Sequence, residues 1–223
     1  MKMKRLHLLF FLCFIMSCTT TGASSSILDT LQCELPCWNG ITPGETSWSD
    51  ALQVIKGLDG IDSEKTNVIT APWKVFNKQI WFYLYSSSWL NTKQTDGAVY
   101  FINDKVVALS LHRNVGITFG EMVERTGEPV TIISLPFNGA NPVVMAIIPL
   151  QGVEFEFYAK SNDELQPETE IDNVMFFDSA HYEDLLDAGM FSLGGYDAEA
   201  TQRIMYTWRG YGDIKELYPP RFP

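Results

Sequence analysis

Glu154 and Glu156, His112 and His181, and the cysteines at 18, 33 and 37 are the residues of this chain whose types and spacing could do chemistry. Two carboxyl groups work as general acid and general base when they face each other across a cleft. Here they lie two apart in Val153-Glu154-Phe155-Glu156-Phe157, and residues two apart in a strand share a face. The alternation predicts a strand with its phenylalanines buried and both glutamates on a solvated side, an arrangement that does not supply a catalytic pair. A serine nucleophile needs a positioned base. His112 ends a strand pattern, His181 precedes a helix pattern, and neither lies in a nucleophile motif. Gly194-Gly195 lacks the downstream lysine and helix start of a phosphate-cradling loop. No motif for catalysis stands out, so the expectation is a non-enzyme without a cofactor.

The elements that position these residues begin after a leader. Lys2, Lys4 and Arg5 precede an apolar run over residues 6–16, interrupted only by His7. A basic head, an apolar stretch too short for a mature bilayer span and a small residue before a cleavage point form a secretory signal. Ile15-Met16-Ser17-Cys18 resembles the lipobox of bacterial lipoproteins, in which the cysteine thiol is acylated and becomes the new N-terminus. That resemblance implies a signal peptide at residues 1–17 and a lipid on Cys18. It also implies a location in the bacterial cell envelope, outside the cytoplasm and held to a membrane by that lipid. The Thr-Thr-Thr-Gly-Ala-Ser-Ser-Ser run that follows cannot bury surface and reads as part of a flexible tether over residues 18–32.

Cys33 and Cys37 are then an even pair in an oxidising compartment. A structural disulfide is favoured over a redox pair, because three residues rather than two separate the thiols and Trp38-Asn39-Gly40 reads as a turn. A metal centre is disfavoured, since only His112 and His181 remain beside them. Without Lys2, Lys4 and Arg5 the processed chain holds 13 basic against 27 acidic residues, a net charge of −14. Such a surface repels nucleic acid and anionic headgroups, and neither is an expected partner. With 46% hydrophobic and 19% charged residues, the chain can bury a sizeable core.

Gly40-Ile41-Thr42-Pro43-Gly44-Glu45 reappears 76 residues later as Gly116-Ile117-Thr118-Phe119-Gly120-Glu121, identical at five of six positions. After the first copy, Ser47 and Asp50 can cap a helix with Ala51, Leu52, Val54, Ile55 and Leu58 on one face, stopped by Gly57 and Gly60. After the second, Thr118 and Glu121 have capping-box spacing and Gly127-Glu128-Pro129 ends the helix. Strands are predicted over 79–86, 98–102 and 105–111, the last two joined by an Asn103-Asp104 hairpin, and over 130–134, 143–148, 152–159 and 171–177. Gly44 and Gly120 are read as preceding the two helix starts, with Ile41 and Ile117 buried just upstream.

The reading is an α+β fold of two related units, each a short helical segment on an antiparallel sheet, over residues 33–113 and 114–178. Residues 179–223 form an extension packing on the second unit. Its Tyr206, Trp208, Tyr211 and Tyr218 read as rings that close the sheet. The functional alternative is an exposed platform of Trp208, Tyr211 and Tyr218 for sugars or a protein partner.

Gly116 to Pro129, together with Trp81-Phe82-Tyr83-Leu84-Tyr85, Val99-Tyr100-Phe101 and Asn103-Asp104-Lys105-Val106, is similar to the BamE-like (SmpA/OmlA) small outer-membrane lipoproteins. That resemblance implies two helices packed on a three-stranded antiparallel sheet and an accessory role in envelope assembly. A tandem version of the plan resembles the β-lactamase-inhibitor protein fold. The expected function is a lipid-anchored interaction or scaffold module whose partner is another envelope protein. The alternative is a carbohydrate-binding or hydrolytic envelope protein whose site forms only in three dimensions. A broad sheet face without a deep polar pocket would favour the first, and a closed pocket holding a histidine beside a carboxylate the second.

Overall fold

Nine antiparallel strands make one sheet through the protein, and chain segments cover both of its faces. The structure is a computed structural model and describes residues 33–69, 75–85, 94–113, 115–137, 141–159, 164–192 and 196–222. The leader and the whole tether, Cys18 included, lie outside the described residues.

The elements run α1 (Trp48–Gly57), β1 (Asn67–Ile69), β2 (Lys78–Tyr85), β3 (Gln94–Ile102), β4 (Lys105–His112), α2 (Phe119–Thr126), β5 (Thr131–Phe137), β6 (Asn141–Ile148) and β7 (Val153–Tyr158). They continue with β8 (Glu164–Leu165), β9 (Asn173–Phe177), α3 (Tyr182–Asp187), α4 (Ala198–Arg203), β10 (Met205–Thr207), β11 (Gly212–Asp213) and α5 (Ile214–Leu217). The sheet order is β1-β2-β3-β4-β9-β7-β6-β5-β10, with β11 and β8 as a separate small ladder. The fold is α+β. The two expected meanders join along β4 and β9, from Ala108 opposite Phe177 to His112 opposite Asn173.

Local chemistry explains the turns. Asn103 and Asp104 link β3 to β4 with φ of 49° and 68°, the left-handed pair that a two-residue hairpin requires. Ser47 caps α1 by accepting from the Asp50 backbone, and Thr118 and Glu121 form a reciprocal capping box on α2. The two copies of the repeated hexapeptide diverge here. Thr118 is itself the cap of α2, so Gly120 lies inside the first helical turn rather than before it. Thr42 instead opens a turn in which its carbonyl accepts from Glu45 and Thr46, and α1 starts at Trp48, four residues after Gly44.

One face of the sheet is dry. Val99, Phe101, Leu109, Leu111, Val144, Phe155, Val174 and Phe176 meet Ala51 and Ile55 of α1, Phe119 and Met122 of α2, and Ile214 and Tyr218. Ile41 and Ile117 are both buried within this cluster, at 0% and 3% exposure. The opposite face buries Phe76, Ala98, Val107, Ile133, Leu135, Ile147 and Phe177 under Leu185, Leu186, Phe191 and Ile204. The C-terminal extension therefore packs on strands of both expected units, not on the second alone. It roofs one face with α3 and α4, adds β10 to the β5 edge, and returns to the other face at Ile214 and Tyr218. Sheets alternate sides by geometry, so an extension that crosses an edge reaches both.

Candidate functional site

Val153-Glu154-Phe155-Glu156-Phe157 does form a strand with strict alternation, and Val153, Phe155 and Phe157 enter the dry core. The other set does not meet solvent. Glu154 and Glu156 are 6% and 8% exposed, which corrects the expectation of a solvated carboxylate face. Alternation separates the two faces of a strand but does not say what covers each; the cover comes from the segment after α3, at Gly189, Met190 and Ser192.

The ladder registers collect polar residues on this covered face. Glu156 of β7 stands opposite Asn173 of β9, Asn173 opposite His112 of β4, and His112 opposite Asp96 of β3. Directly opposed residues point the same way, so one row crosses four strands spaced ~4.8 Å apart. The next row carries Glu154, Met175 and Ser110. Between these rows and the roof is a cavity of about 310 Å³. Both glutamates, His112, Ser110, Asn173 and Ser192 bring polar groups to it, and Met145, Met175 and Met190 supply thioether walls.

Hydrogen bonds fix part of this row. The Arg113 backbone N–H can only donate, and it does so to Asn173 Oδ1 at 3.2 Å. That turns the amide Nδ2 toward Glu156, whose Oε1 accepts from it. The Tyr158 hydroxyl also approaches Glu156 Oε1, at 3.5 Å, and its backbone N–H donates to Asp172 at 2.8 Å. His112 Nδ1 lies 3.6 Å from Asp96, and Arg113 Nε lies 3.7 Å from the other oxygen of the same carboxylate. Glu154 Oε1 is buried and has no hydrogen-bond partner, and the same holds for Ser110 Oγ in its row and Asp96 Oδ1 in the next.

Protonation follows from burial. Desolvation, then the charge of Glu156, pushes Glu154 well above the usual carboxyl range. Desolvation, then Asp172, raises Glu156 to about 7, with the Tyr158 hydroxyl opposing. Burial lowers His112 against the pull of Asp96, so the imidazole is neutral at neutral pH. Burial lifts Tyr100 to about 12, which keeps its hydroxyl protonated. The arrangement can accept hydrogen bonds or balance a positive charge. It lacks the geometry of a glycosidase pair, since both carboxyls rise from one strand on one floor of the cavity. Among the described residues, no group of three or more His, Cys, Asp or Glu side chains is placed to hold a metal ion.

The other expected sites fall elsewhere. Cys33 and Cys37 are disulfide-bonded, with Cα atoms 5.7 Å apart. Cys18 lies outside the described residues. His181 sits on the surface, 2.8 Å from Asp184. Trp208 is half-buried and packs near-parallel to Phe119 and to Tyr218, at 15° and 12°. Tyr218 is fully buried, donating to Gly210 and accepting from the Arg209 backbone, and only Tyr211 shows substantial surface. A larger hollow of about 540 Å³ follows the outer face of α1 beside Trp48, Leu52 and Lys56, without a titratable cluster. Among the described residues, no helix is long and apolar enough to cross a membrane.

Sequence reasoning missed Asp96, Asn173, Ser110 and the three methionines. Their one local signal is the pair of acids inside an otherwise apolar strand; the register that unites them is set by turns and caps far along the chain. No protein family, curated protein or solved structure matches the chain.

Proposed function

We propose that this chain is a lipid-anchored protein of the bacterial cell envelope whose folded domain binds a small polar ligand in the cavity between the sheet and the α3–α4 roof. The observation that carries the reading is Glu154 Oε1, buried without a hydrogen-bond partner on the wall of a cavity of about 310 Å³. A buried acceptor left unpaired costs about 1–3 kcal/mol, and a donor on a bound molecule removes that cost. His112, which lines the same cavity and lies 3.6 Å from the Asp96 carboxylate, is the feature expected of a ligand site rather than of a plain docking face. The anchor rests on the lipobox resemblance at Cys18, and the envelope location on that and the BamE-like resemblance. Binding is preferred to turnover because the two carboxyls do not flank a cleft.

The test uses the processed full chain in detergent. Thermal unfolding is followed with a panel of monosaccharides, polyols, amino acids and amines. At least one class should raise Tm in a saturable way for the wild type and markedly less for Glu154→Gln. A panel without a saturable shift rejects the ligand-binding reading. Separately, Cys18→Ala should move the protein from the membrane to the soluble fraction or leave it unprocessed. Normal cleavage with unchanged membrane retention rejects the anchor.

A further inference from the structure

We infer that the cavity between β7, β9, β4 and the Gly189–Ser192 roof is a site for a small organic ammonium ion, a primary alkylamine or diamine, seated against Glu154 and Glu156. This rests on the ligand-binding reading above and names its chemistry.

Three observations favour a cation over a neutral sugar. First, the site gathers acidic groups without a resident cation. Glu154 and Glu156 line the cavity, Asp172 adds its field to Glu156, and no lysine or arginine is among the lining residues. The Arg113 guanidinium, next in sequence to His112, is 74% exposed and directed at Asp96. A buried carboxylate without a partner is costly, and a ligand cation supplies what the chain does not. Second, the unpartnered side-chain atoms among the lining residues are Glu154 Oε1 and Ser110 Oγ, both oxygens able to accept, and an ammonium group offers up to three donors. Third, the remaining wall suits an alkyl chain. Met145, Met175 and Met190 are flexible and polarizable, whereas the one aromatic ring among the lining residues besides His112 is Tyr100, itself only 6% exposed. A sugar platform needs an open ring face, which this cavity does not present.

Protons compete with such a ligand for the same oxygens. The groups facing the pair are Tyr158 from its own strand, Asp172 just before β9, Asn173 from β9, His112 and Ser110 from β4, and Tyr100 from β3. From β6 and the roof, Met145, Met190 and Ser192 carry no charge. The neutral pair that burial favours at low pH must release its proton as the ammonium arrives, so amine affinity rises with pH until the amine itself deprotonates.

Calorimetric titration of the processed full chain in detergent with butylamine, 1,4-diaminobutane, glucose and glycerol tests this. The amines should bind saturably at pH 8, at least tenfold more weakly at pH 5, and at least tenfold more weakly in Glu154→Gln and Glu156→Gln. Both variants keep side-chain volume and replace a buried group that can ionise with one that cannot, so an unchanged or raised Tm verifies their folding. Repeating the pH 8 titration in two buffers of different ionisation enthalpy should show net proton release. Saturable binding of glucose or glycerol without the amines overturns the ammonium assignment and leaves the ligand reading standing. Amine binding that ignores pH or either glutamine variant places the amine elsewhere and overturns it too. Failure of every probe in the wider panel rejects both.

Discussion

The two faces of the sheet are built from the same alternating strands yet differ in what they enclose. The face under α1, α2 and the chain's last residues holds Phe82, Phe101, Phe119, Phe155 and Phe176 at no exposure. The face under α3 and α4 is equally apolar at its ends, but its middle carries Glu154, Glu156, His112 and Ser110 around a cavity. A face closed only for stability is filled to crystal-like density with apolar groups. Retaining two carboxyls under a roof costs stability that leucines in the same positions would contribute. The difference separates the part of the molecule that holds the fold from the part available for chemistry.

The largest effect should come from breaking the dry face. Ile41 and Ile117 sit at the chain's two approaches to it, both buried. Ile41→Asp or Ile117→Asp places an unpaired charge among phenylalanines, and we expect a loss of about 4 kcal/mol or failure to fold. Urea unfolding measures it. A loss below about 1 kcal/mol in either variant would mean that water reaches this face.

On the polar face the matching change should do the reverse. Burial lifts Glu156 from its ordinary 4.5 to about 7, so between those values the folded protein holds a proton that the unfolded chain releases. Its contribution is fully present below pH 4.5 and is lost as pH rises through 7, a fall of about 3 kcal/mol. His112 runs the other way: its lowered pKa favours the folded state above pH 6.5, and that contribution is lost as pH falls. Glu156→Gln should therefore flatten the decline in stability from pH 5 to 8 and leave the variant more stable than wild type at pH 8. Parallel pH profiles for the two proteins would mean that Glu156 is solvated.

The disulfide belongs to the rim of the dry face. It closes the loop before Trp38, whose ring stacks on Phe82 at 5.8 Å. Replacing Cys33 and Cys37 by serine should cost about 2 kcal/mol, because a loop this short constrains the unfolded chain least. The pH profile set by the polar face should not move. A change in that profile would show that the two faces are coupled through the rim.

Much of the dry face was legible because its signals are local. The caps at Ser47 and Thr118, the Asn103-Asp104 hairpin and the alternation in β7 each lie within six residues. The first half of β3 was not legible, since Asp96-Gly97 reads as a turn. Gly97 stands in mid-strand for a packing reason: it pairs with Phe82, and a Cβ there would collide with that ring and the Ser110 carbonyl. The candidate site was hidden more deeply. Asp96, His112, Glu156 and Asn173 span 77 residues of sequence and become neighbours only through three ladder registers. Their roof follows later still, in a segment whose sequence gives no sign of the face it covers. Which rings Trp208 meets was hidden too, because nothing local to it points to Phe119, about ninety residues upstream.

The smallest effects should distinguish how the two faces open. Thr118 caps α2, accepting from the Glu121 backbone at 3.3 Å while Glu121 accepts from its N–H at 2.8 Å. Asp197 caps α4 by accepting from Ala200 at 2.8 Å. Thr118→Ala and Asp197→Ala should each cost about 1 kcal/mol, roughly a fivefold change in an opening equilibrium. The locations of that change should differ. Phe119, the first residue of α2, meets Phe155 and Trp208 in the dry core, so α2 cannot leave without unfolding the protein. Thr118→Ala should therefore speed amide hydrogen exchange across all the slowest positions alike. The roof of α3 and α4 is two helices of six residues each, ending in the three-residue edge strand β10. Asp197→Ala should speed exchange in 182–204 and leave β4, β7 and β9 unchanged, because a separately opening roof exposes its own amides first. A uniform increase in the Asp197→Ala protein would mean that the roof opens only with the whole molecule, and that a ligand reaches Glu154 by some route other than lifting it.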